Sequence, residues 1–180
     1  MKELTQEYLK KRIYYDPQTG VFTWLPIPIR PRYRRFDLAW NTKYSEKQAG
    51  CVRKSRYQLA YIKISIHKKP FQGHRLAFLY MTGKFPPEGV DHKDGNGLNN
   101  RWENLRPATQ SQNTRNRRIN SNNTSGFKGV YLDKRDGRYD ARITICGETH
   151  NLGRFSNPQD AHNVYVAAAK KHFGEFARYL

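Results

Sequence analysis

Apolar residues recur along this chain in two rhythms, and the changes of rhythm mark its elements. Leu4, Tyr8, Leu9 and Ile13 fall at helical spacing and predict a helix over 3–14. Asp16-Pro17-Gln18-Thr19-Gly20 puts proline and glycine where a turn requires them, and residues 21–25 read as a strand. Residues 58–67 alternate apolar and polar toward their end, as a half-buried strand does, with a turn expected at Lys68-Lys69-Pro70. Leu76, Leu79 and Tyr80 return to helical spacing, and Gly83 is placed to stop that helix.

The remaining segments break both rhythms. Between Pro26 and Arg35 stand three prolines and four arginines, which predicts an exposed, extended basic arm. Such a stretch suits a plain loop as well as a phosphate contact. Thr114 to Gly126 is polar, basic and rich in Asn and Ser, the composition of a linker, placed at 119–125. Beyond it, residues 129–132, 139–145 and 149–153 read as three short strands, turning at Asp136-Gly137 and Cys146-Gly147-Glu148. Pro158 opens a last helix capped by Asn157 or Ser156, with Ala161, Val164, Tyr165, Ala168, Ala169 and Phe173 on its apolar face. The expected class is α+β: an N-terminal module over 1–118, then a small three-stranded antiparallel sheet packed on one helix over 126–180.

Composition narrows the function. Thirty-three Lys and Arg against 15 acids leave a net charge of +18, which suits a phosphate polymer as partner. Twelve Tyr, 9 Phe and 3 Trp add rings that can stack on bases or pack beside arginines. No apolar run is long enough to span a membrane, and the first residues lack the apolar core of a secretory signal. Two cysteines far apart, Cys51 and Cys146, disfavour a structural disulfide and a cysteine zinc site. A cytosolic, nucleic-acid-directed protein is expected.

The chemistry concentrates between Asp91 and Asn113. Asp91-His92-Lys93-Asp94-Gly95-Asn96 sets an acid beside an imidazole, and two carboxamides follow at Asn104 and Asn113. A carboxylate and a carboxamide oxygen suit a hard cation such as Mg²⁺ or Mn²⁺ and leave positions for substrate and water. The neighbouring histidine titrates near ~6.5 and suits a general base. Alternation along a strand lets Asp91 and His92 address different partners. Asn99 and Asn100 read as turn formers, and Trp102 as core.

This block resembles the HNH nuclease motif, a ββα-metal hairpin, in the phage and intron-type subgroup whose third position is Asn. The carrying residues are Asp16-Pro17-x-Thr19-Gly20-x-Phe22-x-Trp24, His74-Arg75-Leu76, Asp91-His92-x-Asp94-Gly95, Asn104-Leu105-Arg106 and Asn113. The hairpin core falls at about 74–116. The resemblance implies His92 as general base, Asp91 and Asn113 as metal ligands, Asn104 as the brace of the hairpin and His74 in a supporting catalytic role. Arg75, Arg106, Arg115, Arg117 and Arg118 stand where phosphate contacts would fall.

Residues 126–180 resemble the ethylene-response-factor (Apetala-two) DNA-binding domain. The carrying residues are Gly126-Phe127-Lys128-Gly129-Val130, Tyr139-Asp140-Ala141-Arg142-Ile143, Leu152-Gly153-Arg154-Phe155, Ala161-His162-x-x-Tyr165-x-x-Ala168-Ala169 and Phe173-Gly174-Glu175-Phe176-Ala177. The resemblance implies a sheet entering the major groove, with Lys128, Tyr131, Lys134, Arg135, Arg138, Arg142 and Thr144 on or near its DNA side. Tyr131, Asp133 and Asn151 depart from the plant pattern, so sequence preference does not transfer.

Together the two resemblances imply a metal-dependent endonuclease of phage or homing type, acting on double-stranded DNA in the host cytoplasm. One active hairpin per chain implies nicking by a monomer, with a dimer assembled on DNA for a double-strand break and no obligatory protein partner or membrane. The competing reading is a non-catalytic DNA-binding regulator that keeps only the fold.

Overall fold

Thr5 starts the first helix by accepting a hydrogen bond from the Tyr8 amide, so that α1 runs Gln6–Arg12. It stops two residues short of the predicted end because Ile13 leaves the helix for a strand. The Ile13 N–H still bonds the Leu9 carbonyl, but Ile13-Tyr14-Tyr15 is β-branched and aromatic, a run that favours pleated chain. In this computed structural model residues 4–54, 59–119 and 122–179 are described, and the chain divides into two units, Met1–Thr109 and Gln110–Leu180. Glu3 of the expected first helix, Gln58 of the expected strand, Asn120 and Ser121 of the expected linker, and the terminal Leu180 lie outside the described residues.

In the first unit β1 (Ile13–Tyr15) pairs antiparallel with β2 (Phe22–Trp24). The extended basic arm gives way early: after one 3₁₀ turn at Pro31–Tyr33 comes α2 (Arg34–Tyr44), a helix the composition concealed. Two inward polar side chains tie the arm to this helix. Asp37 accepts from the Arg30 amide and guanidinium, and the Asn41 carboxamide both accepts from and donates to the Ile27 backbone.

Three strands follow, β3 (Cys51–Lys54), β4 (Ala60–Ile66) and β5 (Lys69–Gln72), antiparallel in that order. The turn between the last two falls one residue earlier than expected. His67 and Lys68 both take left-handed backbone, φ 51° and 62°, the geometry of a two-residue hairpin, so Lys69 and Pro70 belong to β5. Pro70 is tolerated there because β5 is an edge strand. Then α3 (Gly73–Thr82) ends at Gly83, as expected. Leu9, Ile13, Tyr15, Phe22, Ile64 and Leu76 form a shared core beneath these elements. A hairpin of β6 (Gly89–His92) and β7 (Leu105–Ala108) completes the unit, with Asp91 opposite Arg106 and His92 opposite Leu105.

The second unit opens with α4 (Gln110–Arg115). Its sheet has β9 (Arg138–Ile145) between β8 (Val130–Asp133) and β10 (Glu148–Phe155), all antiparallel. α5 (Pro158–Phe173) begins at Asn157, whose side chain accepts from the Gln159 amide. Ala161, Tyr165, Ala169 and Phe173 are buried with Val130, Ala141 and Ile143, whereas Val164, expected on that face, is 36% exposed. The α+β class and the small antiparallel sheets are those expected. Among the described residues no helix is long and apolar enough to cross a membrane.

Candidate active site in the β6–β7 hairpin

The connection from His92 to Asn104 is held by amide chemistry as well as by Trp102, which packs on the core beside Phe78. Asp94 begins a tight turn in which its carboxylate accepts from the Asn96 amide and from the Asn99 and Asn104 carboxamides. Asn104 is buried and closes the loop from the other side. Its oxygen accepts from the Asp94 N–H, and its nitrogen also donates to the Asn99 carbonyl. Partial burial pulls the Asp94 pKa upward, but those three donors outweigh it and hold the carboxyl below its usual range. The loop is therefore a fixed frame. Asn104 ties its two ends together through these bonds.

Inside that frame lie the two histidines. His92 and His74 are 6% and 5% exposed, with ring centroids 5.0 Å apart. Tyr61 stands beside both rings. The His92 Nε2 lies 3.3 Å from the Asn100 carboxamide oxygen, and an oxygen can only accept. Nε2 therefore carries the proton, and the lone pair sits on Nδ1. Burial lowers the His92 pKa more than the Asn100 bond and the Asp94 and Asp91 charges raise it, so the ring is neutral at pH 7. His74 is fixed in the same way by the Gln72 side-chain oxygen, at 3.0 Å. Its Nδ1 is buried with no hydrogen-bond partner in the structure. Burial and the neighbouring His92 and Arg75 push the His74 pKa down to about 3.

Asp91 is buried as well, and Arg106 answers it across the hairpin through Nε at 2.9 Å and Nη2 at 2.7 Å, both to Oδ2. The Arg106 guanidinium, expected at a phosphate, is thus turned inward and only 8% of the residue is exposed.

The HNH endonuclease family profile matches residues 72–115, the segment that holds all of these groups except Tyr61. An uncharacterized HNH endonuclease of Acanthamoeba polyphaga mimivirus is 38% identical over 108 residues, 59% of this chain and 55% of that protein. The match thus spans little more than half of the viral relative. Protein 3.8 of Escherichia phage T7 is 34% identical over 95 residues, 52% of this chain and 78% of that protein. Residues 72–115 form a domain of the HNH endonuclease family. That is the family the motif spacing led one to expect. A solved structure of DNA binding and cleavage by the HNH homing endonuclease I-HmuI is 18% identical, with a TM-score of 0.41 over 96% of this chain and 91% of that one, too distant to carry an argument.

Asp91 offers a buried carboxylate on β6, an oxygen donor of the kind hard divalent cations take, and Asn113, the other expected ligand, lies on α4 of the second unit. Among the described residues no group of three or more His, Cys, Asp or Glu is gathered as a metal cluster.

Asn100 is the residue that sequence reasoning passed over. It was read as a turn former, yet it is 1% exposed and holds the His92 ring. Its carbonyl accepts the Tyr15 hydroxyl at 2.7 Å, and its Nδ2 is buried without a partner. Gly20, at φ +75°, lies so close that an added Cβ would meet the Asn100 carbonyl carbon at 2.4 Å. That packing of the Asp16–Gly20 turn on the loop gives the opening motif its place. No local sequence signal announces Asn100, because its partner lies eight residues back on another strand.

The other expected contact residues divide by exposure. Arg75 donates to the Glu88 carbonyl, and Arg115 lies over the Phe173 ring. Arg117 and Arg118 are exposed. The Lys128 ammonium is turned onto the Arg115 and Arg117 carbonyls, and burial, with Arg178 nearby, lowers its pKa to about 8. Tyr131, Lys134, Arg135, Arg138, Arg142 and Thr144 are all exposed on the sheet side away from α5 or at its β8–β9 turn. Arg142 lies over the Tyr131 ring and pairs with Asp140, while Arg135 pairs with Asp133. Arg154, not among the expected contacts, reaches Asp133, Asp136 and Asp140 from β10. The register sets it beside Asp140, which could be read only once the strands were paired.

Proposed function

We propose that this HNH protein is a metal-dependent DNA endonuclease that nicks one strand and is held on its substrate by the sheet of the second unit. The observation that carries the reading is the buried, neutral His92, whose protonated nitrogen is engaged by Asn100 so that the basic nitrogen is the other one. Asp91 and Asn113 would hold one Mg²⁺ or Mn²⁺, which when bound supplies positive charge to the phosphate and to the departing oxygen. His92 removes a proton from water, whose oxygen bonds to phosphorus. The bond to the 3′ oxygen breaks and that oxygen takes a proton from solvent water, leaving a 5′ phosphate and a 3′ hydroxyl. Asn104 keeps the loop from shifting as charge moves through it. His74, too weakly basic to compete for the proton, packs edge-on against His92 and limits the ring's tilt.

Binding is assigned to the three-stranded sheet in the manner of an ethylene-response-factor domain. What supports this is a face of outward arginines with few apolar groups, set opposite the α5 side. Arginine reads guanine edges and phosphate alike, and carboxylates that hold the guanidiniums in place reduce the entropy lost on docking. Joining cutter and binder in one chain raises the local substrate concentration at modest affinity for each.

The test is conversion of supercoiled plasmid with Mg²⁺ or Mn²⁺, alongside His92→Ala and an EDTA control. Open circles lost in both controls support a nickase, and linear product indicates paired cutting. DNA bound tightly but left intact across metals and pH returns the chain to the regulator reading.

A further inference from the structure

Helix α2 has the wrong surface for a helix that serves only the fold. Over Arg34–Tyr44 the one fully buried residue is an acid, Asp37, while Phe36 is 77% exposed and Leu38 41%. Between residues 26 and 45 there are five cations (Arg30, Arg32, Arg34, Arg35 and Lys43) and a single acid. That acid is turned inward on Arg30, so no carboxylate on this segment offsets the outward cations. The guanidiniums of Arg30 and Arg32 flank the Tyr33 ring, at 4.8 and 5.7 Å.

The ridge is also built rather than loose. Asp37 and Asn41 spend their polar groups clasping the arm to the helix, with three hydrogen bonds at Arg30 and two at Ile27. Trp40 is wedged against Trp24 of β2 and under Arg12. The β1–β2 hairpin that bears Trp24 is the one whose turn, at Gly20, packs on Asn100. Four residues of extended chain separate Gly20 from Trp24, ~13 Å at most. The ridge is thus anchored, through the β1–β2 hairpin, to the frame that orients His92.

We infer that α2 and its clasped arm form a second DNA-contacting element, with Arg34 and Arg35 on phosphates and Phe36 against the sugars and base edges of the minor groove. Cations on both sides of an apolar tip, with no outward acid, complement a polyanion whose minor groove is walled by apolar sugar faces. The same pairing of basic side chains with an inserted ring is how minor-groove proteins hold a duplex. A protein docking site would instead be depleted of charge at its centre. This inference rests on DNA being the substrate of the proposed nuclease, and it predicts contacts on duplex flanking the cleaved phosphate.

The experiment is anisotropy of a labelled duplex of about 30 base pairs bound by the full chain in EDTA, over roughly 50–200 mM salt. Arg34→Gln with Arg35→Gln is expected to flatten the salt dependence by about 2 in log–log slope. Phe36→Ala is expected to weaken binding several-fold while leaving that slope unchanged. Both positions are exposed, so thermal melting should match the parent, and Leu38→Gln serves as a second apolar variant. Unchanged affinity and slope in all three variants would overturn the inference, whether the ridge then faced a protein or a lipid surface. Because binding is read without metal, a parent chain that binds but never cuts removes only the nuclease reading. A parent chain that does not bind duplex removes both.

Discussion

The β6–β7 hairpin and the outer face of the β8–β10 sheet use polar residues in opposite ways. In the hairpin Asp91, His92, Asn100, Asn104 and Arg106 are all buried, and their hydrogen bonds run from side chain to side chain or to backbone. On the sheet Arg142 and Arg154 reach over Asp133, Asp136 and the buried Asp140, with the guanidiniums themselves open to water. Burial makes each hairpin group expensive to lose and sets its protonation state. Exposure makes each sheet pair nearly neutral for folding but leaves a cation held in position for a phosphate. One region is arranged for chemistry, the other for contact.

The sharpest way to break that contrast is through the buried ion pair. Asp91→Ala strands the Arg106 charge, with side-chain exposures of 7% and 10% in the parent pair, and should cost ~3–5 kcal/mol in denaturant melts. Replacing both, as Asp91→Asn with Arg106→Met, should recover much of that stability but no cleavage. Were the single variant to unfold at the parent midpoint, the hairpin would be no more demanding than the surface.

Next in size is His92→Ala, expected to lower plasmid nicking by ~10²–10⁴-fold with little change in duplex binding. Asn100→Ala should follow, with ~1–3 kcal/mol lost from stability because a buried imidazole N–H is left unbonded. Nitrogen-15 spectra of the neutral His92 ring should then show a mixture of tautomers where the parent shows one. A single tautomer in the variant would remove Asn100 from its positioning role.

On the sheet, Arg142→Ala and Arg154→Ala should each leave melting within ~1 kcal/mol and reduce the salt slope of DNA binding by about 1. A stability loss as large as that of the hairpin variants would erase the distinction between the two regions. The smallest effect is pH-dependent and lies in the α2 clasp. Hydrogen bonds from Arg30 lower the Asp37 pKa to about 2, below the ~3.9 of an unfolded aspartate. A carboxyl depressed on folding contributes stability above its unfolded pKa and loses it as pH falls through the folded one. Asp37→Asn should therefore melt below the parent at neutral pH, and the gap should close between about pH 4 and pH 2.

Most of the regular elements were legible in the chain because their causes are local. Gly83 at the end of α3, Asn157 and Pro158 at the start of α5, and the Asp136-Gly137 turn each act on neighbours a few residues away. The misplacements occurred where a local signal had two outcomes. Proline at position 70 reads as a turn but sits in an edge strand, since His67 and Lys68 take the left-handed backbone of the turn. The arginine-rich arm hid α2 because its stabilising partners, Asp37 and Asn41, are polar residues whose value depends on folding back onto Arg30 and Ile27.

For function, the sequence alone determined the HNH motif, the acid–histidine step, the amide positions and the excess of positive charge. Spacing and composition are properties of the chain, and motif chemistry follows from them. Only the tertiary structure decided that His92 is buried and protonated at Nε2, that Asn100 is what holds it, and that Arg106 and Lys128 face inward. Burial and hydrogen-bond partners arise when residues distant in sequence meet, and those meetings set a charge's energy. The identity of a residue says what it can do, and its surroundings select which of those things it does.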